Sequence, residues 1–191
     1  MKDIVIRNLS KRYGGKTVLA DLSLAVPAGS IFGIMGESGC GKTTLLRILL
    51  GLERADSGEI EGLPARVSAV FQEDRLCGEF SAVTNVAIAA PRKTPRGAIE
   101  ECLSSLGLGE DMHRPVEGLS GGMRRRVAIA RALMAEGELL LLDEPFKGLD
   151  EETRQTVMAV VRRAATERTV IFVTHDEEEI TALGALLYRM T

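Results

Sequence analysis

Gly36-Glu37-Ser38-Gly39-Cys40-Gly41-Lys42-Thr43 is the stretch with the clearest chemistry, a glycine, four residues, then glycine, lysine and threonine. Without Cβ atoms, Gly36, Gly39 and Gly41 let the backbone turn tightly and bring its amide groups within hydrogen-bonding distance of an anion. The apolar run Ile31 to Met35 before the loop and the periodic stretch Thr44 to Leu50 after it predict strand, loop and helix. The helix start adds free N–H groups to the cradle. In such a loop Lys42 reaches the β- and γ-phosphates of a nucleotide and the Thr43 hydroxyl ligates magnesium.

Other chemistry-bearing residues stand at the ends of predicted strands. Leu139-Leu140-Leu141-Leu142 is a continuous apolar run of the kind buried on both faces of a parallel sheet, and it ends in Asp143-Glu144. Of two adjacent carboxylates, one can face magnesium and the other an attacking water, which is what phosphoryl transfer requires. Thr169 to Val173 reads as another buried strand, terminating in Thr174-His175-Asp176. His175 therefore lies on the edge where ligands of open α/β sheets bind. Gln72 ends the strand Val67 to Phe71 on that edge and, taken alone, is better explained as a solvated loop residue. Ser120 is a good N-cap for a helix over Met123 to Ala135, and Gly121 and Gly122 permit an anion to approach. That stretch is either a second phosphate site or a simple capping turn. Tyr13, in the turn Lys11 to Lys16, is open to two readings, stacking on a base or ordinary packing. The basic run Arg124-Arg125-Arg126 reads as a solvated helix face.

These positions need a frame. Alternating apolar residues at Ile4, Ile6 and Leu9, and at Leu22, Leu24 and Val26, predict half-buried antiparallel strands. Glu59-Ile60-Glu61 resumes the alternation. From Glu73 to about Gly118 the β character gives way to candidate helices at Val83 to Ala89 and Arg96 to Leu106, separated by Pro91 and Pro95. Periodic helix returns over Glu151 to Arg168, and Leu183 to Met190 reads as a last strand. The 191 residues fit one domain with a substantial core. A net charge of −3 gives no electrostatic footprint for nucleic acid. Apolar runs of a few residues are too short to span a bilayer, and the N-terminus has no signal-peptide core, so a cytosolic location is expected. Three cysteines without metal-type spacing read as reduced thiols.

With these stretches in this order, the chain resembles the nucleotide-binding subunit of ATP-binding cassette transporters over essentially its full length. The loop 36 to 43 matches that family's Walker A motif, Leu139 to Asp143 with Glu144 its Walker B and catalytic glutamate, and Gln72 its Q-loop. Leu119-Ser120-Gly121-Gly122 matches the signature motif, Gly148-Leu149-Asp150 the D-loop, His175 the switch histidine and Tyr13 the adenine-stacking aromatic. The resemblance implies an α/β fold: a P-loop NTPase core with a mostly parallel sheet, an antiparallel β subdomain (about 1–29 and 58–63) and an inserted helical subdomain (about 73–135). It implies two chains packed head to tail, with MgATP between Gly36, Ser38, Gly39, Cys40, Gly41, Lys42, Thr43 and Thr44 of one and Ser120, Gly121 and Gly122 of the other, near Asp150. Thr43, Gln72 and Asp143 are then the magnesium residues, Glu144 polarises the attacking water, and His175 contacts the γ-phosphate. Integral membrane permease subunits and an extracytoplasmic solute-binding protein are the implied partners, and nucleic acid is not.

Met123 stands where the signature often has glutamine, and Leu76-Cys77-Gly78 replaces a Leu-Pro-Trp common in the nitrate, sulfonate and taurine importers that residues 73–86 otherwise resemble. The C-terminus lacks the regulatory domain of larger members, so no built-in regulation is expected. The alternative of a soluble cassette ATPase acting on DNA or ribosomes would call for a long coiled-coil insertion or two cassettes, and the sequence has neither.

Overall fold

The computed structural model describes residues 1–190. Three strands, β1 (Ile4–Tyr13), β2 (Lys16–Val26) and β4 (Ser57–Glu61), form an antiparallel sheet in the order β2-β1-β4. A second sheet has the order β5-β6-β7-β3-β8, from β5 (Val67–Val70), β6 (Leu139–Asp143), β7 (Thr169–Val173), β3 (Ile31–Gly36) and β8 (Leu186–Met190). Every neighbouring pair in it is parallel.

All residues of β6 and β7 are buried, as strands covered on both faces must be. Because side chains alternate across a strand, the sheet divides the interior into two cores. Leu140, Leu142, Val170 and Phe172 face one, which they share with Leu103, Val127, Val157 and Ile180. Leu139, Leu141, Ile171 and Val173 face the other, with Leu45 and Leu49 from the helix α1 (Lys42–Leu49) and Ile4, Leu9 and Leu19 from the antiparallel sheet. A Cβ on Gly33 of β3 would collide with Ile180 Cδ1 and lie 3.1 Å from the Phe172 ring, so the side chains packed on this strand would have to shift.

Between β5 and β6 lie α2 (Ala82–Ala87), α3 (Arg96–Ser105), a short 3-10 turn at Val116–Gly118 and α4 (Gly121–Met134). Buried Asn85 on α2 ties this region down by accepting from the Cys77 amide and donating to the carbonyls of Cys77, Phe80 and Ser81. The helices α5 (Glu151–Ala164) and α6 (Glu177–Leu183) follow β6 and β7. Asp150 and Asp176 cap them through the amides of Thr153 and Glu178, and acidic residues in both first turns suit the helix dipole.

Two sequence expectations shift. β1 runs on to Tyr13, so Tyr13 ends a strand and only Gly14 and Gly15 form the turn. Leu183 belongs to α6, which Gly184 ends in a left-handed conformation at φ +62° before β8 begins.

Candidate functional site

Four parallel strands deliver the site. β3 runs into the glycine loop, β5 into Gln72, β6 into Asp143 and Glu144, and β7 into Thr174 and His175. All four exits lie at the carboxyl edge of one sheet, which is why residues up to 137 positions apart converge (38 to 175). Ser38, Gly39, Gly41, Lys42, Thr43, Thr44, Gln72, Asp143, Glu144 and His175 line a single cleft of about 210 Å³.

Gly41 caps α1 at φ +104°, and a Cβ there would sit 2.6 Å from Leu19 Cδ2 and 2.8 Å from the Val18 carbonyl oxygen. A Cβ on Gly36 would meet the Met190 carbonyl at 2.4 Å. Lys42 is buried and its Nζ donates to the carbonyls of Gly36 and Glu37 at 2.8 Å each, so the cation is folded over the loop it belongs to. Cys40 Sγ lies 3.8 Å from that ammonium. Cys40 lines neighbouring depressions beside Met190 rather than the cleft.

The Thr43 hydroxyl donates to Asp143 Oδ2 at 3.1 Å. Burial pushes the Asp143 carboxyl above its ordinary value, opposed by that hydrogen bond. Glu144 is half-buried with a φ of +48°, a conformation rare for a residue with a side chain. Its Oε2 accepts from Lys147 Nζ at 2.7 Å and its Oε1 lies 3.1 Å from His175 Nε2. Lys147, followed by His175, holds the Glu144 carboxyl below its usual range. The Thr174 hydroxyl donates to buried Glu179 at 2.5 Å and accepts from the Asp176 amide at 3.0 Å, which fixes the turn carrying exposed His175.

A hydroxyl and a carboxylate at hydrogen-bonding distance are hard oxygen donors suited to magnesium. Among the described residues no group of three or more His, Cys, Asp or Glu side chains is arranged to hold a metal. The donor set thus fits a cation that takes one or two protein oxygens and fills its shell with water and phosphate oxygens.

Of the sequence candidates, Tyr13, Ser120, Gly121, Gly122 and Asp150, and within the loop Gly36 and Cys40, are not among the residues that line the cleft. Ser120 accepts from the Met123 amide at 3.2 Å, so its side chain caps α4. Gly121 is exposed with open space around its Cβ position, and Gly122 packs beside Leu149 of the segment leading to Asp150. Tyr13 is 42% exposed, with Lys11 Nζ 5.0 Å from its ring centroid and its hydroxyl beside Glu53 and Thr44.

The solvated-face reading of Arg124 to Arg126 is overturned. Arg124 donates to the Leu119 carbonyl and Arg126 to the carbonyls of Leu106 and Gly107, the end of α3. Arg125 is only 6% exposed and reaches both Gln72 and Glu144 through their backbone oxygens. Neither Arg125 nor Lys147 was marked by the sequence. The one available signal was their spacing, Lys147 three residues after Glu144 and Arg125 on the helix that starts at Gly121.

The sequence model of the family described as ABC transporter matches residues 19–147. Relatives include the sulfate/thiosulfate import ATP-binding protein CysA of Burkholderia mallei, 42% identical over 92% of this chain and 56% of its own length. The Fe(3+) ions import ATP-binding protein FbpC 1 of Rhizobium meliloti is 41% identical over 95% and 56%. The aliphatic sulfonates import ATP-binding protein SsuB 1 of Paraburkholderia xenovorans is 42% identical over 95% and 55%. The chain thus spans little more than half the length of these relatives. A solved structure, a bacterial Atm1-family ABC exporter with ATP bound, superposes with a TM-score of 0.87 at 25% identity, over the whole of this chain and 38% of the other.

Proposed function

The chain belongs to the ABC transporter family, and from that premise we propose that it is the ATP-hydrolysing subunit of an import system, coupling MgATP turnover to solute movement through a separate membrane permease. The observation that carries the reading is the cleft in which Lys42, Thr43, Gln72, Asp143, Glu144 and His175 meet. Lys42 and the loop amides bind the phosphate chain of the substrate. Thr43, Asp143 and Gln72 hold magnesium, which supplies charge neutralisation on the phosphates when bound. Glu144 orients a water and takes its proton as the water oxygen bonds to the γ-phosphorus. The bond from that phosphorus to the bridging oxygen breaks, leaving ADP and phosphate, and His175 steadies the γ-phosphoryl oxygens.

None of Ser120, Gly121, Gly122 or Asp150 lines the cleft of their own chain, which favours their serving the cleft of a second copy. Two clefts would then each close between Lys42 of one chain and Ser120 to Gly122 of the other. Tyr13, at the rim beside Thr44, would stack on the adenine. The permease would meet residues 73–90, where Phe80 and Ile88 are 46% and 62% exposed. Among the described residues no helix is long and apolar enough to cross a membrane, consistent with attachment through the permease on the cytoplasmic side. The three relatives name import of sulfate or thiosulfate, Fe(3+) and aliphatic sulfonates at nearly equal identity. They support import over action on DNA or ribosomes and leave the solute open; an extracytoplasmic solute-binding protein would deliver it to the permease.

Gly121→Glu tests the composite site, because the new side chain has open space within its own chain. The reading requires ATP binding to persist while hydrolysis and ATP-dependent dimerisation are lost. Unchanged hydrolysis would refute it.

A further inference from the structure

Arg125 holds two parts of the cleft from behind. Its Nη1 donates to the carbonyl of Phe71, to that of Gln72 at 3.4 Å and to Asp74 Oδ1 at 3.0 Å. Its Nη2 donates to the carbonyls of Asp143 and Glu144 at 2.8 Å each. A guanidinium is a rigid planar fork of donors, so one side chain fixes the spacing between the segment that carries Gln72 and the segment that carries the two carboxylates. A buried charge is tolerated only when its donors are satisfied, and here they are spent on backbone oxygens of those two segments and one carboxylate.

The contrast with its neighbours on α4 is informative. Among the described residues, Arg131 donates to the carbonyls of Arg75 and Asp74 only, and Arg126 only to its own helix at Gly122 and to the end of α3. Among the three, Arg125 alone touches the Asp143–Glu144 backbone. At the carbonyl it grips, Glu144 is held at φ +48°, with its amide donating to the Val173 carbonyl at 3.1 Å. Strained backbone persists where the surroundings over-determine it. Arg125 is also one turn from Ser120, Gly121 and Gly122, the start of its helix.

We propose that Arg125 is a positioning residue: it sets the Glu144 and Gln72 backbone in register with the N-terminus of α4, so that contact made at Gly121 by nucleotide on a second copy is passed to the group that orients the water. The proposal rests on the function argued above. A rigid strut transmits displacement without itself touching substrate, and misplacement of a reacting group by about 1 Å costs on the order of 100-fold in rate.

The test compares the wild-type chain with Arg125→Lys, Arg125→Gln and Arg126→Lys, measuring thermal midpoint, MgATP affinity, kcat and backbone hydrogen exchange without nucleotide. Arg125→Lys keeps the charge but loses the fork, and Arg125→Gln also removes the charge, so that an unpaired buried cation is not left behind. Exchange is expected to rise at both 71–75 and 143–146, with ATP affinity within about threefold and kcat down about 10- to 100-fold. Arg126→Lys lowers the midpoint with kcat per folded molecule unchanged. A kcat within about threefold of wild type in a folded Arg125 variant, or exchange raised at 71–75 alone, overturns the proposal. Failure of the wild type to hydrolyse MgATP would count against the function instead, and the exchange pattern would still decide the role of Arg125.

Discussion

The Lys147 ammonium lies 2.7 Å from Oε2 of Glu144, while the other oxygen of that carboxylate faces His175 Nε2 at 3.1 Å. Both oxygens of the group proposed to orient the water are thereby engaged. Lys147 is the partner that gives way, since its side chain is 67% exposed and sits on a flexible stem. Ion pairs of this exposure contribute about 0–1 kcal/mol. Lys147→Ala is therefore expected to raise steady-state MgATP hydrolysis by up to about fivefold. A fall in rate would mean that the lysine assists the reaction rather than restraining Glu144.

The Thr43 hydroxyl and Asp143 Oδ2, the pair proposed to hold magnesium, lie 3.1 Å apart. Thr43→Val keeps the shape and removes the hydroxyl. The Mg²⁺ concentration giving half-maximal hydrolysis should increase by about tenfold or more, and chelation of the metal should abolish turnover in the wild type. An unchanged magnesium requirement in Thr43→Val would remove the hydroxyl from the metal's shell.

Glu179 links stability to pH. Burial is the main cause that raises its pKa above the ordinary 4.5, against the Thr174 hydrogen bond that lowers it. A carboxyl whose folded pKa is raised contributes stability that is complete below the unfolded value and is lost as pH climbs through the folded value. Glu179→Gln, neutral throughout, escapes that loss. Its melting temperature relative to wild type is expected to improve as pH rises from 4.5 toward about 8. A difference that stays constant across that range would show that Glu179 ionises in the folded chain as it does when unfolded.

What could be read from the sequence was what one strand or one loop determines alone. The glycine spacing of 36–41, the apolar run into Asp143, and the strand ending at His175 each announce their place at the sheet's carboxyl edge, because strand periodicity and loop chemistry are local. Arg125 was hidden for the opposite reason. Its polar neighbours on α4 resemble an exposed face, and its burial depends on segments 51 to 54 residues upstream and 18 to 19 downstream folding against it. Lys147 was hidden because its partner is set by the left-handed turn at Glu144, a conformation that no residue type there announces. Tyr13 misled in a smaller way, as the two glycines after it suggested a wider turn than the strand allows.

The central claim is that the cleft is half of a site completed by a second copy, with Glu144 as the group that orients the water. Glu144→Gln preserves shape but removes the base, and its single amide oxygen can accept from only one of Lys147 and His175. Size-exclusion chromatography with light scattering, run with and without MgATP and paired with a hydrolysis assay, tests it most directly. The account predicts a monomer without nucleotide, a stable dimer with MgATP, and hydrolysis almost abolished. A monomer in MgATP with turnover equal to wild type would contradict it.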